Sequence, residues 1–110
     1  MGPAKNEIDM LDRRAKLEQV AEECGELAQA CLKLIRAEGN SNPCRISKNE
    51  AMQQVIEEIA DLCLAATEVA SDLARDRPDI YSTISAIYES KRERWIEELK
   101  GVPKMEGGDD

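Results

Sequence analysis

Two short acidic segments contain the residues best suited to chemistry. Glu22, Glu23 and Glu26 lie in one stretch of helical periodicity, and Glu58 and Asp61 lie in another. The pairs Glu23/Glu26 and Glu58/Asp61 are each separated by three residues, which places both members of a pair on one helix face. Converging carboxylates repel one another unless a cation lies between them, and oxygen-only ligands suit a hard cation such as Mg²⁺. Either pair alone is typical of a solvated helix flank, but the two together indicate a candidate site.

Two long helices are predicted to carry these acids. The first runs from about Ile8 to Ala37, where the helix breakers of segment 38–43 end it. Ser47 and Glu50 form a capping box that starts a second helix, which continues to about Arg75. Each helix carries an apolar seam of residues three and four apart: Leu17, Val20, Cys24, Leu27, Cys31 and Leu34 in the first, and Val55, Ile59, Leu62, Ala66, Val69 and Leu73 in the second.

The acids lie at the edges of these seams. At about 100° per residue, Glu23 and Glu58 border the apolar arcs, and the second acid of each pair lies just beyond. Glu68 and Asp72 extend the acidic stripe of the second helix. This position at a seam edge favours a site between the two helices.

A third helix completes the predicted fold. Asp79 is a plausible N-cap for a helix from Ile80 to Lys100, which Gly101 ends. We therefore expect one all-α domain over residues 1–110, with an ordered core at about 8–100, a flexible tail at 101–110, and an antiparallel bundle of three main long helices. One Trp, two Tyr and no Phe make a thin core, so we expect oligomerisation to complete it. Leu64, opposite the second seam, is a further reason to expect a partner subunit.

Composition excludes several function classes. A net charge of −8 argues against nucleic-acid binding as the main role. The absence of histidine excludes Ser-His and Cys-His catalysis and His-ligated zinc sites. The four cysteines form no Cys-x-x-Cys pair, and no apolar run is long enough to span a membrane. We expect a protein of the reducing cytoplasm, without a membrane or nucleic-acid partner.

The arrangement Glu-Glu-x-x-Glu on one helix and Glu-x-x-Asp on the next resembles the motif of the MazG-like all-α nucleoside triphosphate pyrophosphohydrolases. Glu22, Glu23 and Glu26 match its first half, and Glu58 and Asp61 match its second. The similarity covers roughly residues 15 to 95. It implies cleavage between the α- and β-phosphates of a nucleoside triphosphate, giving a nucleoside monophosphate and pyrophosphate.

The resemblance also implies roles for individual residues. Glu23, Glu26, Glu58 and Asp61 would be ligands of Mg²⁺, with Mn²⁺ as a possible substitute, and Glu22 would be an outer-shell residue or a helper base. The family often carries a basic pair in its third helix. Three basic residues are therefore expected to contact the substrate phosphates, with the first as the weakest candidate: Lys33, Lys91 and Arg94. The family also forms dimers and tetramers, so we expect a homo-oligomer.

Three interpretations stay open from the sequence. The first is the nucleotide pyrophosphohydrolase. The second is a phosphoribosyl-ATP pyrophosphohydrolase, although that family commonly places a His after its second acidic motif and this chain has none. The third is a non-enzymatic helical oligomerisation module whose acids are solvated flanks. A response to millimolar Mg²⁺ separates the first two from the third.

Overall fold

Three α-helices form the described part of the molecule. A computed structural model of the chain describes residues 7–8, 10–39 and 46–102. Helix α1 spans Arg13–Glu38, α2 spans Lys48–Leu73 and α3 spans Ile80–Lys100. These residues contain no strand, so the all-α prediction is confirmed. None of the three helices combines the length and the apolar run needed to cross a bilayer.

Local hydrogen bonds fix where the first two helices begin. Helix α1 begins at Arg13 rather than near Ile8, because the Asp12 carboxylate accepts a 2.8 Å hydrogen bond from the backbone N–H of Ala15 and caps the helix there. The predicted capping box of α2 is confirmed: the Glu50 backbone donates to the Ser47 hydroxyl at 3.1 Å, and the Ser47 backbone donates to the Glu50 carboxylate at 3.5 Å.

A short turn joins α2 to α3. Asp79 occupies the N-cap position of α3, but its carboxylate makes no capping bond to the backbone. It accepts hydrogen bonds from Arg77 at 2.7 Å and from the Thr83 hydroxyl at 2.9 Å, which lower the Asp79 pKa to about 2. Helix α3 ends at Gly101 as predicted. Residues 103–110 of the predicted flexible tail lie outside the described residues, as does Cys44.

Helices α1 and α2 pack against each other as an antiparallel hairpin with a very small apolar core. The buried α1 residues are spaced by seven, namely Lys16, Glu23 and Ala30, and those of α2 are Ala51, Ala65 and Asp72. Among the described residues, three alanines are therefore the whole buried apolar core. Three charged side chains occupy the rest of the buried helix contact. The small alanines allow the helices to approach, and the charged groups need partners.

The outer members of both predicted seams stay exposed. Leu17 and Ile59 are each 48% exposed, and Cys24 and Cys31 are exposed thiols. Helix α3 contacts α2 but not α1, and it has no buried residue. Within a single chain, α3 therefore does not close a three-helix bundle, and the predicted bundle completed by other subunits stays a prediction.

An ion-pair cluster holds the N-terminal end of α1 against the C-terminal end of α2. Asp72 accepts a hydrogen bond from Arg13 Nε, and Lys16 Nζ lies 4.0 Å from its Oδ1. Arg75 lies 3.7 Å from the same carboxylate, and Arg13 also pairs with Asp76 at 2.6 Å. The hydrogen bond from Arg13 lowers the Asp72 pKa below its ordinary value. Asp72 is thus part of a cation-rich cluster. The prediction that Asp72 extends the acidic stripe of the second helix is wrong.

Loss of the Asp72 carboxylate should destabilise the fold. Asp72→Ala leaves the buried ammonium of Lys16 without a facing carboxylate, which is the costly way to break a buried pair. Asp76→Ala removes only an exposed partner of Arg13, and exposed pairs contribute little. We expect Asp72→Ala to lower the midpoint of thermal unfolding clearly more than Asp76→Ala does, as measured by circular dichroism. Equal midpoints for the two variants would contradict the structural role of Asp72.

Candidate metal centre

Three carboxylates converge between α1 and α2. Glu23, Glu26 and Glu58 each place a carboxylate oxygen so that all three oxygens lie within 4.8 Å of one another. Glu23 is buried, Glu58 is partly buried and Glu26 is exposed, so the group opens to solvent on one side. The three-residue spacing on α1 and the antiparallel approach of α2 produce this convergence, as the sequence predicted for these three acids.

Two carboxylate oxygens at this point lack a hydrogen-bond donor. Gln19 donates a 2.7 Å hydrogen bond to Glu23 Oε2, which orients that carboxylate. Glu23 Oε1 and Glu58 Oε1 are buried, and no donor among the described residues reaches either atom. A buried carboxylate oxygen without a partner is costly, so these atoms are suited to a cation.

Mutual repulsion perturbs the titration of the group. The Glu26 pKa is raised from its ordinary value of 4.5 to about 7, first by a shared hydrogen bond with Glu23 and then by the negative charges of Glu23 and Glu58. The Glu58 pKa is also raised, first by burial and then by the charge of Asp61. Such repulsion is expected where several carboxylates converge with no cation between them.

The remaining predicted acids lie at the edge of the group. Asp61 is exposed, and its charge contributes to the raised pKa of both Glu26 and Glu58, so it lies beside the three acids. Glu22 is exposed and does not belong to the converging group. Its assignment as a helper base or outer-shell residue stays a prediction.

The predicted phosphate-binding residues are all exposed. Lys33 lies two helical turns after Glu26, and seven residues place both on one face of α1. Lys91 and Arg94 lie on α3, where Lys91 shares a shallow surface groove with Tyr88 and Trp95. None of the three basic residues forms an ion pair with another residue in the described ranges. Their role in phosphate binding stays a prediction.

A groove of about 260 Å³ adjoins the acids. Glu23 and Asp61 line one part of it, and Lys16 and Glu68 also line it. Its remaining lining is mostly apolar: Ile8, Leu11, Gln19, Leu64 and Ala65. Leu64, which the sequence suggested as a contact for another subunit, lines this groove and is 55% exposed, and its contact with a partner stays a prediction.

Sequence reasoning missed two residues of this region. Gln19 precedes Glu23 by four residues, a spacing that brings two helical side chains together and so could have identified the bond between them. Lys16 precedes Glu23 by seven residues and therefore shares its face. A lysine on the face that carries the acids was the available signal, but only the packing of α2 reveals that Lys16 is buried.

The geometry provides a set of oxygen ligands for a divalent cation beside a partly apolar groove. Hard cations such as Mg²⁺ and Mn²⁺ take ligands of this kind.

Comparison with protein-family models, with curated proteins and with solved structures finds no match for this chain.

The raised pKa of Glu26 should make the metal-free fold sensitive to pH. Its folded-state pKa of about 7 exceeds the ordinary value of 4.5, so the folded chain holds this proton more tightly than the unfolded chain does. The resulting stabilisation is complete below about pH 4.5 and is lost as the pH rises through about 7. In Glu26→Gln this loss should be smaller, so the variant should gain stability over the wild type near pH 8 and not near pH 4.5.

Thermal unfolding in the presence of a chelator at both pH values measures this effect. Glu93→Gln, an exposed change on α3, is the matched control and should follow the wild type. A constant difference between Glu26→Gln and the wild type across this pH range would show that repulsion at Glu26 is absent.

Proposed function

We propose that the chain is a Mg²⁺-dependent nucleoside triphosphate pyrophosphohydrolase, acting in the cytoplasm and cleaving the bond between the α- and β-phosphates. The observation that carries the proposal is the convergence of Glu23, Glu26 and Glu58, with two buried carboxylate oxygens that lack a donor. The resemblance of the acidic segments to the MazG-like motif supports the same reaction. A nucleoside triphosphate is the substrate class, and the products are a nucleoside monophosphate and pyrophosphate.

The residues at the centre fit a hard cation. Glu23, Glu26 and Glu58 would hold Mg²⁺ through carboxylate oxygens, with Asp61 beside them as the fourth ligand, and Mn²⁺ would be held in the same way. When bound, Mg²⁺ neutralises substrate charge, polarises a phosphoryl oxygen and lowers the pKa of water. No histidine or thiol is required for this chemistry, which agrees with the composition.

The protein's own residues orient and activate the reactants. Gln19 holds the Glu23 carboxylate through its hydrogen bond to Oε2, and Oε1 is left without a donor among the described residues. Glu22 would serve as a helper base or outer-shell group. Three basic residues would contact the phosphates, because their positive charges offset the negative charges of a polyphosphate: Lys33, Lys91 and Arg94.

We also propose that the protein is a homo-oligomer in which a second copy covers the apolar face of the hairpin. This face is formed by the exposed seam residues Leu17, Cys24, Cys31 and Ile59. Cys24 and Glu26 are two residues apart, as are Ile59 and Asp61, and such pairs point to nearly opposite sides of a helix. The exposed outer seam therefore lies on the side away from Glu26 and Asp61. Three alanines are the only fully buried apolar residues among those described, and the inner seam residues are half-buried, which supports further apolar burial against another surface. Covering this face with a second hairpin would complete an antiparallel bundle and leave the acids accessible.

Glu58→Gln should abolish most of the hydrolysis. The change removes one negative charge from the metal centre and retains the size of the side chain, so the fold should be kept. We expect kcat/KM for nucleoside triphosphates with Mg²⁺ to fall by about a hundredfold or more, measured by release of pyrophosphate. Glu57→Gln, at the adjacent exposed acid, is the matched control and should retain wild-type activity.

Metal binding provides a separate measurement. Millimolar Mg²⁺ should raise the thermal midpoint of the wild type and of Glu57→Gln, with a much smaller effect on Glu58→Gln. Wild-type hydrolysis by Glu58→Gln would refute the metal centre. A wild type that neither responds to Mg²⁺ nor hydrolyses any nucleoside triphosphate would instead favour the helical oligomerisation module.

Disruption of the hairpin's apolar face should separate the subunits. Ile59 is exposed in the single chain, and a buried glutamate at this position would lack a partner in the complex. We expect Ile59→Glu to shift the mass measured by light scattering at micromolar concentration towards that of one chain, with a lower thermal midpoint. Ala60→Glu, at the next residue and about 100° around the helix, should keep the wild-type mass. A monomeric wild type would contradict the proposal.

A further inference from the structure

Lys16 is the most buried charged side chain among the described residues. It is only 4% exposed, although lysine is rarely buried without a close partner. Its nearest described carboxylate oxygen, on Asp72, is 4.0 Å away and beyond hydrogen-bond distance. Asp72 already accepts a hydrogen bond from Arg13 and lies near Arg75. The Lys16 ammonium therefore has donor capacity that Asp72 does not use.

The Lys16 side chain lines the groove that adjoins the candidate metal centre. Aliphatic side chains of Ile8 and Leu11 lie on one part of the groove, and Leu64 and Ala65 of α2 lie on another. Aliphatic walls suit a flat, mostly apolar ring and do not suit a polyphosphate. The groove is therefore better matched to the nucleoside part of a nucleotide than to its phosphates.

The dimensions agree with this assignment. Lys16 and Glu23 are seven residues apart, which is about 10 Å along the helix axis. This is comparable with the distance from the 5′-phosphate of a nucleotide to the far edge of its base. A nucleotide whose phosphates lie at the acids would therefore bring the far edge of its base towards Lys16.

The hydrogen-bonding groups of the groove then select the base. The Lys16 ammonium only donates hydrogen bonds, whereas the partly buried Glu68 carboxylate accepts them when ionised. At the far edge, hypoxanthine, guanine, uracil and thymine each present a carbonyl oxygen beside a ring N–H. Adenine and cytosine present an amino group at the same place, and a donor facing the ammonium leaves both groups unpaired.

We propose that this groove is a nucleobase pocket in which Lys16 donates a hydrogen bond to a carbonyl oxygen at the far edge of the base. Glu68 accepts from the adjacent ring N–H, and the aliphatic side chains hold the faces of the ring. Bases with a carbonyl group at this position are therefore preferred over those with an amino group. The proposal rests on the proposed function for the position of the phosphates and adds the class of base.

Inosine and adenosine nucleotides form a matched pair for the test, because they differ at the purine 6-position and the adjacent ring nitrogen. Calorimetry with Mg²⁺ measures the affinities for inosine and adenosine monophosphates, and pyrophosphate release measures kcat/KM for the two triphosphates. In the wild type we expect a preference for inosine of roughly tenfold to a hundredfold in affinity, as a hydrogen bond to a charged group provides. Lys16→Met should bring this ratio close to one.

Further variants keep the test decisive. Lys16→Gln replaces the donor-only group by an amide that both donates and accepts, so it should also remove the preference even if Lys16→Met folds poorly. Arg14→Met changes an exposed basic residue of the same helix and should keep the wild-type ratio. Circular dichroism establishes that each variant is folded.

The two proposals fail in different ways. An inosine preference in binding that Lys16→Gln removes, together with no hydrolysis of either triphosphate, supports the base pocket and refutes the reaction. Equal or absent binding of the two monophosphates by the wild type overturns the base pocket, whatever the hydrolysis. A preference that persists in both folded Lys16 variants overturns the role of Lys16.

Discussion

The structure depends on how charges are accommodated in the contact between α1 and α2. Lys16, Glu23 and Asp72 are buried there, where apolar side chains would be usual, and three alanines provide the remaining buried residues. A buried charge is tolerated only with a compensating group. At the Asp72 end the compensation is internal, since Arg13 and Arg75 surround the carboxylate. At the Glu23 end the facing groups are further carboxylates, so compensation must come from outside the chain or from a bound proton.

This asymmetry divides the hairpin into an end held by ion pairs and an end where carboxylates face one another. The ion pairs near Asp72 tie together parts of the chain that are far apart in sequence, and they fix how α2 lies against α1. That alignment brings Glu58 to Glu23 and Glu26, while Gln19 directs the carboxylate of Glu23. Repulsion among the acids raises the free energy of the metal-free fold, and a bound divalent cation would remove this repulsion. The groove extends along the hairpin from these acids to Lys16, so a ligand bound at the cation would lie against both ends.

The thin core explains why a single chain leaves so much apolar surface exposed. Charged groups occupy positions in the helix contact that would otherwise carry large apolar side chains, and the seams turn partly outward as a result. Helix α3 does not cover this surface, because it contacts only α2. A second copy of the hairpin would supply the missing burial on the side away from the acids. Assembly and activity would then use different faces of the same two helices, with Glu26 and Asp61 on the side away from the second copy.

The helices and the convergence of Glu23, Glu26 and Glu58 could be predicted from the sequence, whereas Asp61 lies beside these three acids. Helical periodicity, the Ser47–Glu50 capping box and the stop at Gly101 are local properties, so the three helices could be predicted, although α1 begins at Arg13 and not near Ile8. The three-residue spacing placed Glu23 and Glu26 on one face. Four features follow from the packing of the helices: Asp72 joins a cluster of cations, Lys16 is buried, Leu64 lines a groove and α3 stays apart from α1. These features depend on the alignment of residues distant in sequence. Helical periodicity predicts the helix face on which a residue lies, but it does not predict which residue of another helix it will contact. Burial of a charge is a property of two helices together, and for that reason the sequence of either one could not predict it.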